Sequence, residues 1–297
     1  RSASPSFSNC VFFNSDAGYR FGQSSIEAIV HIVGAHPSFT DCEFRSIGGL
    51  ADNKIGTTTI FIRDTPPPSD PQDPPGNTGD PSDPTFTHCR FVNCVSSSFG
   101  VIACRSKGAF LNCSFENNNS PGTGQIKPVL YVKDNRNLLV KECTFVGNQS
   151  ALGAAIYLSP SANDITIESC HFIKNFSGER GGAIFSNGAS PSLINCTFTG
   201  NIANNGGGAI YCVSSGLNLT NCEFSSNFPD SIAGPFSTTP PTILQGDVNH
   251  DGVVDRLDVL ALKDMIGICN SDLDGDGSVN GIDLSYVLTE WSAPCDP

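Results

Sequence analysis

The sequence predicts a mainly β fold, a parallel β-helix solenoid of right-handed default winding followed by a small α-helical module, and three observations carry that prediction. The pattern Cys-x-Phe occurs eight times, at Cys10, Cys42, Cys89, Cys113, Cys143, Cys170, Cys196 and Cys222, with spacings of 32, 47, 24, 30, 27, 26 and 26 residues. A second apolar ladder recurs about half a repeat away from the first. From Gly246 to Pro297 the composition then turns acidic, with 11 acidic and 2 basic residues, a net of −9 out of the −13 of the whole chain.

A period in the mid-twenties means one supersecondary unit stacked on copies of itself. Cys and Phe two apart project to the same side of an extended segment. An apolar residue also stands three before each cysteine: Phe7, Phe39, Phe86, Phe110, Val140, Ile167, Leu193 and Leu219. An odd offset cannot keep both on one face of a straight strand, so the backbone must bend between them. From Cys113 onward an asparagine follows five residues after the cysteine, at Asn118, Asn148, Asn175, Asn201 and Asn227. Asparagine tolerates left-handed backbone angles, which places this column at a corner.

The second ladder comprises Gly181 to Phe185 and Gly207 to Tyr211, with Ala154 to Tyr157, Val129 to Tyr131, Val101 to Ala103 and Thr59 to Phe61 in register. Cys104 and Cys212 fall on it beside Val132, Leu158 and Ser186. These two thiols and the eight of the Cys-x-Phe column read as small buried hydrophobes. Cys94 has no place in either pattern. Cys269 and Cys295 bracket the second half of the acidic module, with a disulfide and a pair of free thiols both open.

The interval of 47 residues contains the Pro-rich run 65–84, and without those 20 residues it is 27, in line with the rest. Proline lacks the donor a strand needs, so the run reads as a solvated loop extruded from a corner. The expected boundaries are a β-helix over 1–228, a Pro/Ser/Thr linker over 229–245 and the acidic module over 246–297. The Cys/Phe/Asn and Gly-Gly-Ala-Ile repeats resemble those of polymorphic outer-membrane-type and other bacterial surface β-helix proteins, over about residues 1 to 235. That resemblance implies a fold and an extracellular setting, not an activity.

An acidic chain argues against nucleic acid, whose phosphates need a basic surface. No segment is long enough to span a membrane, and no signal peptide is legible in this sequence. The first Cys-x-Phe arrives by residue 10, which leaves no room for a capping helix ahead of it. Either the chain is trimmed or a second molecule supplies the cap, and the second case predicts head-to-tail fibres.

The acidic module holds two copies of one spacing. Asp247, Asn249, Asp251, Asp255 and Asp258 present oxygen side chains at loop positions 1, 3, 5, 9 and 12, with glycine at 6 and the Val253 carbonyl at 7. Asp272, Asp274, Asp276, Asn280 and Asp283 repeat this, with the Ser278 carbonyl at 7. Calcium takes six to eight hard oxygen ligands around a sharp glycine turn, so two calcium ions are expected. Each loop runs into an amphipathic segment, Leu257 to Ile266 and Leu284 to Trp291. Aspartate at position 12 in two loop-helix halves resembles a type I dockerin over residues 246 to 293, a family that folds on calcium and usually docks onto a cohesin domain. Cohesin-binding dockerins tend to carry small hydroxyl residues after position 9. Arg256-Leu257 and Gly281-Ile282 stand there instead, which weakens the case for a cohesin partner and leaves packing against the module's own β-helix or a neighbouring subunit open.

Within the repeats, Asp41 and Glu43 align with His88 and Arg90 one turn on, so cross-turn ion pairing accounts for all four. Lys133, Arg136, Lys141, Lys174 and Arg180 come nearest to a catalytic cluster. The reading favoured is a non-enzymatic extracellular or cell-surface scaffold that assembles with itself or with a surface partner. A secreted polysaccharide lyase or glycoside hydrolase and a glycan-binding adhesin are the alternatives.

Overall fold

A computed structural model describes residues 4–14, 28–46, 58–63, 82–95, 100–119, 128–133, 136–213 and 217–239. The chain divides into two units, Arg1–Thr239 and Pro240–Pro297, and the described residues all belong to the first. Each turn gives one short strand to each of three parallel sheets. The first sheet has nine strands, from Ser6–Ser8 to Phe236–Thr239, and the second has eight, from Val11–Asn14 to Glu223–Ser225. The third also has eight, from Ala28–Val33 to Ile232–Ala233, and a fourth of three short strands lies between the second and third in chain order.

The columns foreseen in the sequence are the core. Phe7, Phe39, Phe86 and Phe110 pair turn to turn in the first sheet and pass into Val140, Ile167, Leu193 and Leu219. Phe12 to Phe224 form an unbroken eight-ring column in the second, with centroids 4.5 to 5.0 Å apart and planes within 9° of parallel. That interval is the inter-strand spacing, so the backbone ladder holds each ring over the last. Stacks of this kind add about 0.5–1.5 kcal/mol per pair beyond the area they bury. Where the two phenylalanine columns meet, the rings cross edge to face at 64 to 75°.

The bend between apolar residue and cysteine is made by the single residue before each cysteine. Asn9, Asp41, His88, Asn112, Glu142, Ser169, Asn195 and Asn221 all have φ between 51 and 54°. A second left-handed set stands four residues after the cysteine: Asn93, Asn117, Gly147, Lys174, Gly200 and Ser226, with φ between 51 and 65°. The asparagine column was expected to supply the left-handed corner. It stands one residue beyond it instead, and Asn118, Asn148, Asn175 and Asn201 are buried.

The reason is a hydrogen-bond deficit. A left-handed residue turns the next N–H out of the strand ladder, and a buried N–H must find another acceptor. Asn118 N–H donates to Asn148 Oδ1 at 3.1 Å, Asn148 to Asn175 at 3.1 Å, Asn175 to Asn201 at 3.0 Å and Asn201 to Asn227 at 2.9 Å. The Nδ2 of each asparagine donates in turn to a phenylalanine carbonyl one turn back, Asn148 to Phe115 at 3.0 Å for example. Cys94, unplaced by the sequence reading, fills the same slot five residues after Cys89. Its N–H donates to Asn118 Oδ1 at 2.9 Å and its thiol to the Phe44 carbonyl at 3.4 Å.

The cysteine column works the same way at the first bend, so its thiols are more than small hydrophobes. Cys113 N–H donates to Cys143 Sγ and Cys143 N–H to Cys170 Sγ, both at 3.4 Å. The Cys143 and Cys170 thiols reach the Phe110 and Val140 carbonyls one turn back at 3.3 and 3.4 Å. All described cysteines are free thiols. Cys269 and Cys295 lie outside the described residues.

The Gly-Gly of the second ladder reflects close approach between turns. A Cβ on Gly182 would run into the Gly208 carbonyl and the Ile202 backbone, and one on Gly208 into Phe228. The Pro-rich insertion rejoins the solenoid at buried Ser82, whose hydroxyl donates to the Arg63 carbonyl at 2.6 Å; Ser106 Oγ donates to the Ser82 carbonyl at 2.6 Å. At the other end, pairing runs past Asn227. Ile232–Ala233 joins the third sheet and Phe236–Thr239 the first. Part of the segment expected as linker is therefore a last turn, which adds without a Cys-x-Phe to the open strand edges of the preceding turn.

Candidate functional site

The ion pairs among the described residues lie on the first and second sheets and at the corner between them. His88 Nδ1 lies 3.6 Å from Asp41, and Arg90 lies 3.6 Å from Glu43 and 3.5 Å from Glu116. Arg45 pairs with Glu43 on its own strand. The four residues expected to pair across turns do so, and Arg45 and Glu116 extend the network. Pairs this exposed contribute about 0–1 kcal/mol each.

Lys141 and Glu168 meet at 2.7 Å on the first sheet, and that hydrogen bond holds the lysine above the usual ammonium range. The cations named as the nearest approach to a catalytic cluster do not converge. Lys133 follows the third-sheet strand Leu130–Val132, and Lys174 is a left-handed corner after the second sheet. Arg180 closes the strand Phe176–Arg180, with its guanidinium 5.0 Å from the Tyr211 ring centre. Arg136 stands on the first sheet, and its side chain lies outside the described residues. Alternation of short strands around three faces disperses what the linear sequence brings near.

The aromatic residues of the second ladder form an outer column. Tyr131, Tyr157, Phe185 and Tyr211 stack at 5.3, 5.4 and 5.5 Å with planes within 7° of parallel. Asn187 Nδ2 donates to the Tyr157 hydroxyl at 3.1 Å. These rings face one another, so their faces are not offered to a flat ligand.

Hydrogen bonds with neighbouring thiols hold Cys113 and Cys170 low, yet both are buried in the core out of a substrate's reach, and Cys143 and Cys212 are shifted the other way. Hydrogen bonds to Cys113 and Cys170, then burial, push the Cys143 thiol up, and burial pushes Cys212 up to about 11. A reactive cysteine needs the opposite shift.

The twelve calcium-loop residues, Asp247 to Asp258 and Asp272 to Asp283 as named above, lie outside the described residues. Among the described residues, no group of three or more His, Cys, Asp or Glu side chains is placed to hold a metal ion. The donor set of each loop is oxygen throughout, carboxylates, asparagine and a backbone carbonyl, which fits a hard cation such as calcium and not a thiolate- or imidazole-seeking metal.

Comparison with known families matches residues 1–213 to the right handed beta helix region and residues 245–289 to the dockerin type I domain. Among curated proteins nothing matches. Among solved structures nothing matches either.

Proposed function

This chain belongs to the right-handed β-helix family, and from that premise we propose an extracellular structural subunit: a β-helix rod held to a partner protein by a calcium-stabilised docking module. Dockerin type I domains are calcium-binding and typically bind cohesin partners, and both domain types are typical of secreted or cell-surface proteins. The observation that carries the reading is the union, in one chain, of a stacked-column solenoid with a module of that kind. The dispersal of Lys133, Lys141, Lys174 and Arg180 favours a structural role over a catalytic one.

In this reading two ions are bound. Asp247, Asn249, Asp251, Asp255, Asp258 and the Val253 carbonyl hold one, and Asp272, Asp274, Asp276, Asn280, Asp283 and the Ser278 carbonyl hold the other. The ions neutralise clustered carboxylates so that each loop closes and the apolar face of the following segment can pack. A cohesin-type domain is the first partner to test. Arg256-Leu257 and Gly281-Ile282 give it a specificity different from that of hydroxyl-bearing dockerins.

Self-association into filaments is the second reading. It is favoured by exposed Phe228 and Phe236 in the last described turn. The test is capture of the purified chain on a panel of immobilised cohesin-type domains, alongside negative-stain microscopy, each with calcium and with chelator. Calcium-dependent capture or calcium-dependent fibres support the respective reading. Dispersed rods that no cohesin captures in either condition would reject both.

A further inference from the structure

We infer that N-linked glycosylation at Asn118, Asn148 and Asn175 and this fold exclude each other, so that the chain is exported by a route that attaches no such glycan. The export half rests on the extracellular reading above; the exclusion does not.

The triplet Asn-x-Ser/Thr, with x other than proline, is the acceptor of N-linked glycans and ordinarily marks a surface loop. The sequence holds six, beginning at Asn112, Asn118, Asn148, Asn175, Asn195 and Asn218. The structure divides them into two sets. Asn112 and Asn195 are exposed left-handed corners before a cysteine, and Asn218 is exposed on the strand Leu217–Thr220. Asn118, Asn148 and Asn175 are 1%, 0% and 0% exposed.

The repeat writes the buried triplets for its own reasons. The slot five residues after the cysteine takes asparagine for its carboxamide. Two residues on, where the fourth sheet starts, the chain places a small buried hydroxyl that caps a backbone carbonyl. Ser150 Oγ donates to the Leu152 carbonyl at 3.3 Å, and Ser177 Oγ to the Ala151 carbonyl at 2.7 Å. Ser150 and Ser177 pair in register, and Ala203 takes the same place one turn later, which ends the triplet at Asn201.

Glycan transfer forms a bond between Nδ2 and C1 of the first sugar and breaks the bond from C1 to the diphosphate of a lipid-linked oligosaccharide, the diphosphate leaving as Nδ2 loses one proton. Nδ2 then keeps a single hydrogen, and each of these side chains uses two. Asn118 Nδ2 donates to the Phe91 carbonyl at 3.0 Å and to Asn148 Oδ1 at 2.9 Å. Asn148 Nδ2 donates to Phe115 at 3.0 Å and to Asn175 at 2.9 Å, and Asn175 Nδ2 to Phe145 at 3.0 Å and to Asn201 at 2.9 Å. A glycan removes one bond of each pair, and turns about 4.8 Å apart hold no sugar ring between them. Burial gives no protection during synthesis. The turn that closes over Asn148 carries Asn175, 27 residues later, so a transferase acting on the emerging chain meets the triplet before the slot exists.

The test is production of the full chain in a bacterial host without N-glycosylation and in a eukaryotic secretory host, read by site-mapped glycan occupancy and thermal unfolding. Chain from the first host melts cooperatively. From the second, molecules occupied at Asn118, Asn148 or Asn175 show no cooperative transition, whereas molecules occupied only at Asn112, Asn195 or Asn218 melt like the unmodified chain. Blocking synthesis of the lipid-linked oligosaccharide restores folding in that host without any substitution. Ser120→Ala, Ser150→Ala and Ser177→Ala together, which delete the three buried triplets and keep their asparagines, restore it as well, and the same variant from the bacterial host shows what the lost hydroxyls cost by themselves. A glycan on Asn148 in a chain with the parent's melting curve, or secreted chain with all three buried triplets unoccupied, would overturn the proposal. Neither result bears on capture by a cohesin-type domain, so this inference and the docking reading fail separately.

Discussion

Asn148 Oδ1 accepts two hydrogen bonds from Asn118, the backbone N–H at 3.1 Å and Nδ2 at 2.9 Å, across two turns that are 30 residues apart in the chain. The pair is one link of an amide ladder that continues through Asn175 and Asn201 to Asn227. It supplies what the left-handed corner at Asn117 and Gly147 takes away from the backbone.

Removing one rung of that ladder is costly because its neighbours stay behind. Asn148→Ala takes the Asn118 N–H's acceptor and the Phe115 carbonyl's side-chain donor out of a buried column, and leaves Asn175 Oδ1 with one donor where it had two. Each unsatisfied group costs about 1–3 kcal/mol. Urea denaturation should show a loss of at least about 2 kcal/mol, and Asn148→Asp should lose more because an unpaired charge is then buried.

The buried thiols of Cys212 and Cys143 make stability depend on alkaline pH. Burial holds Cys212 at about 11, and hydrogen bonds to Cys113 and Cys170, then burial, push Cys143 above the ordinary thiol range. In the unfolded chain these thiols ionise near their ordinary value, so the unfolded state binds fewer protons than the folded state above that pH. The contribution is present in full below about pH 8.5 and is lost as pH rises toward 11. Melting temperatures across pH 7 to 10.5 should fall over the upper half, and Cys212→Ala should flatten that fall. In the native state at neutral pH, a thiol reagent should label the buried cysteines only at the rate of unfolding.

Gly182→Ala should destabilise. The added methyl meets the Gly208 carbonyl and Ile202 backbone rather than the end of a flexible side chain, and overpacking of this kind costs about 1–3 kcal/mol. Lys174→Gly should do the reverse, raising stability by up to about 1 kcal/mol, because Lys174 holds a φ of 51° where Gly147 and Gly200 serve on the turns either side. Thermal unfolding of the two variants beside the parent checks both signs.

Calcium titration of the full chain should report two ions. Asp258→Ala and Asp283→Ala should each remove one, leaving the β-sheet circular dichroism of the solenoid unchanged. Loss of that signal on chelation would tie the two units together more closely than the docking reading requires.

The inward columns were legible because strand alternation is a local property. Phe39, Phe44 and their equivalents announce the core face by spacing alone. The partners of Asp41 and Glu43 were legible too, since a regular repeat puts His88 and Arg90 beside them. Cys94 was missed although its signal was present: it stands five residues after Cys89, in the slot that asparagine fills on later turns. The asparagines themselves were placed one residue off, because their tolerance of left-handed φ drew attention to the backbone and away from the carboxamide.

What the sequence determined by itself is the period, the register of columns such as Phe12 to Phe224, and two oxygen-rich loops between Asp247 and Asp283. These rest on spacing within a turn or a loop, and such spacing is set by the local geometry of strand and turn. Only the tertiary structure decided that the cysteines and asparagines satisfy stranded N–H groups and that Lys133, Lys141, Lys174 and Arg180 diverge. Each of those depends on what the next turn presents 24 to 30 residues away, and a buried donor takes its partner from there because water cannot reach it.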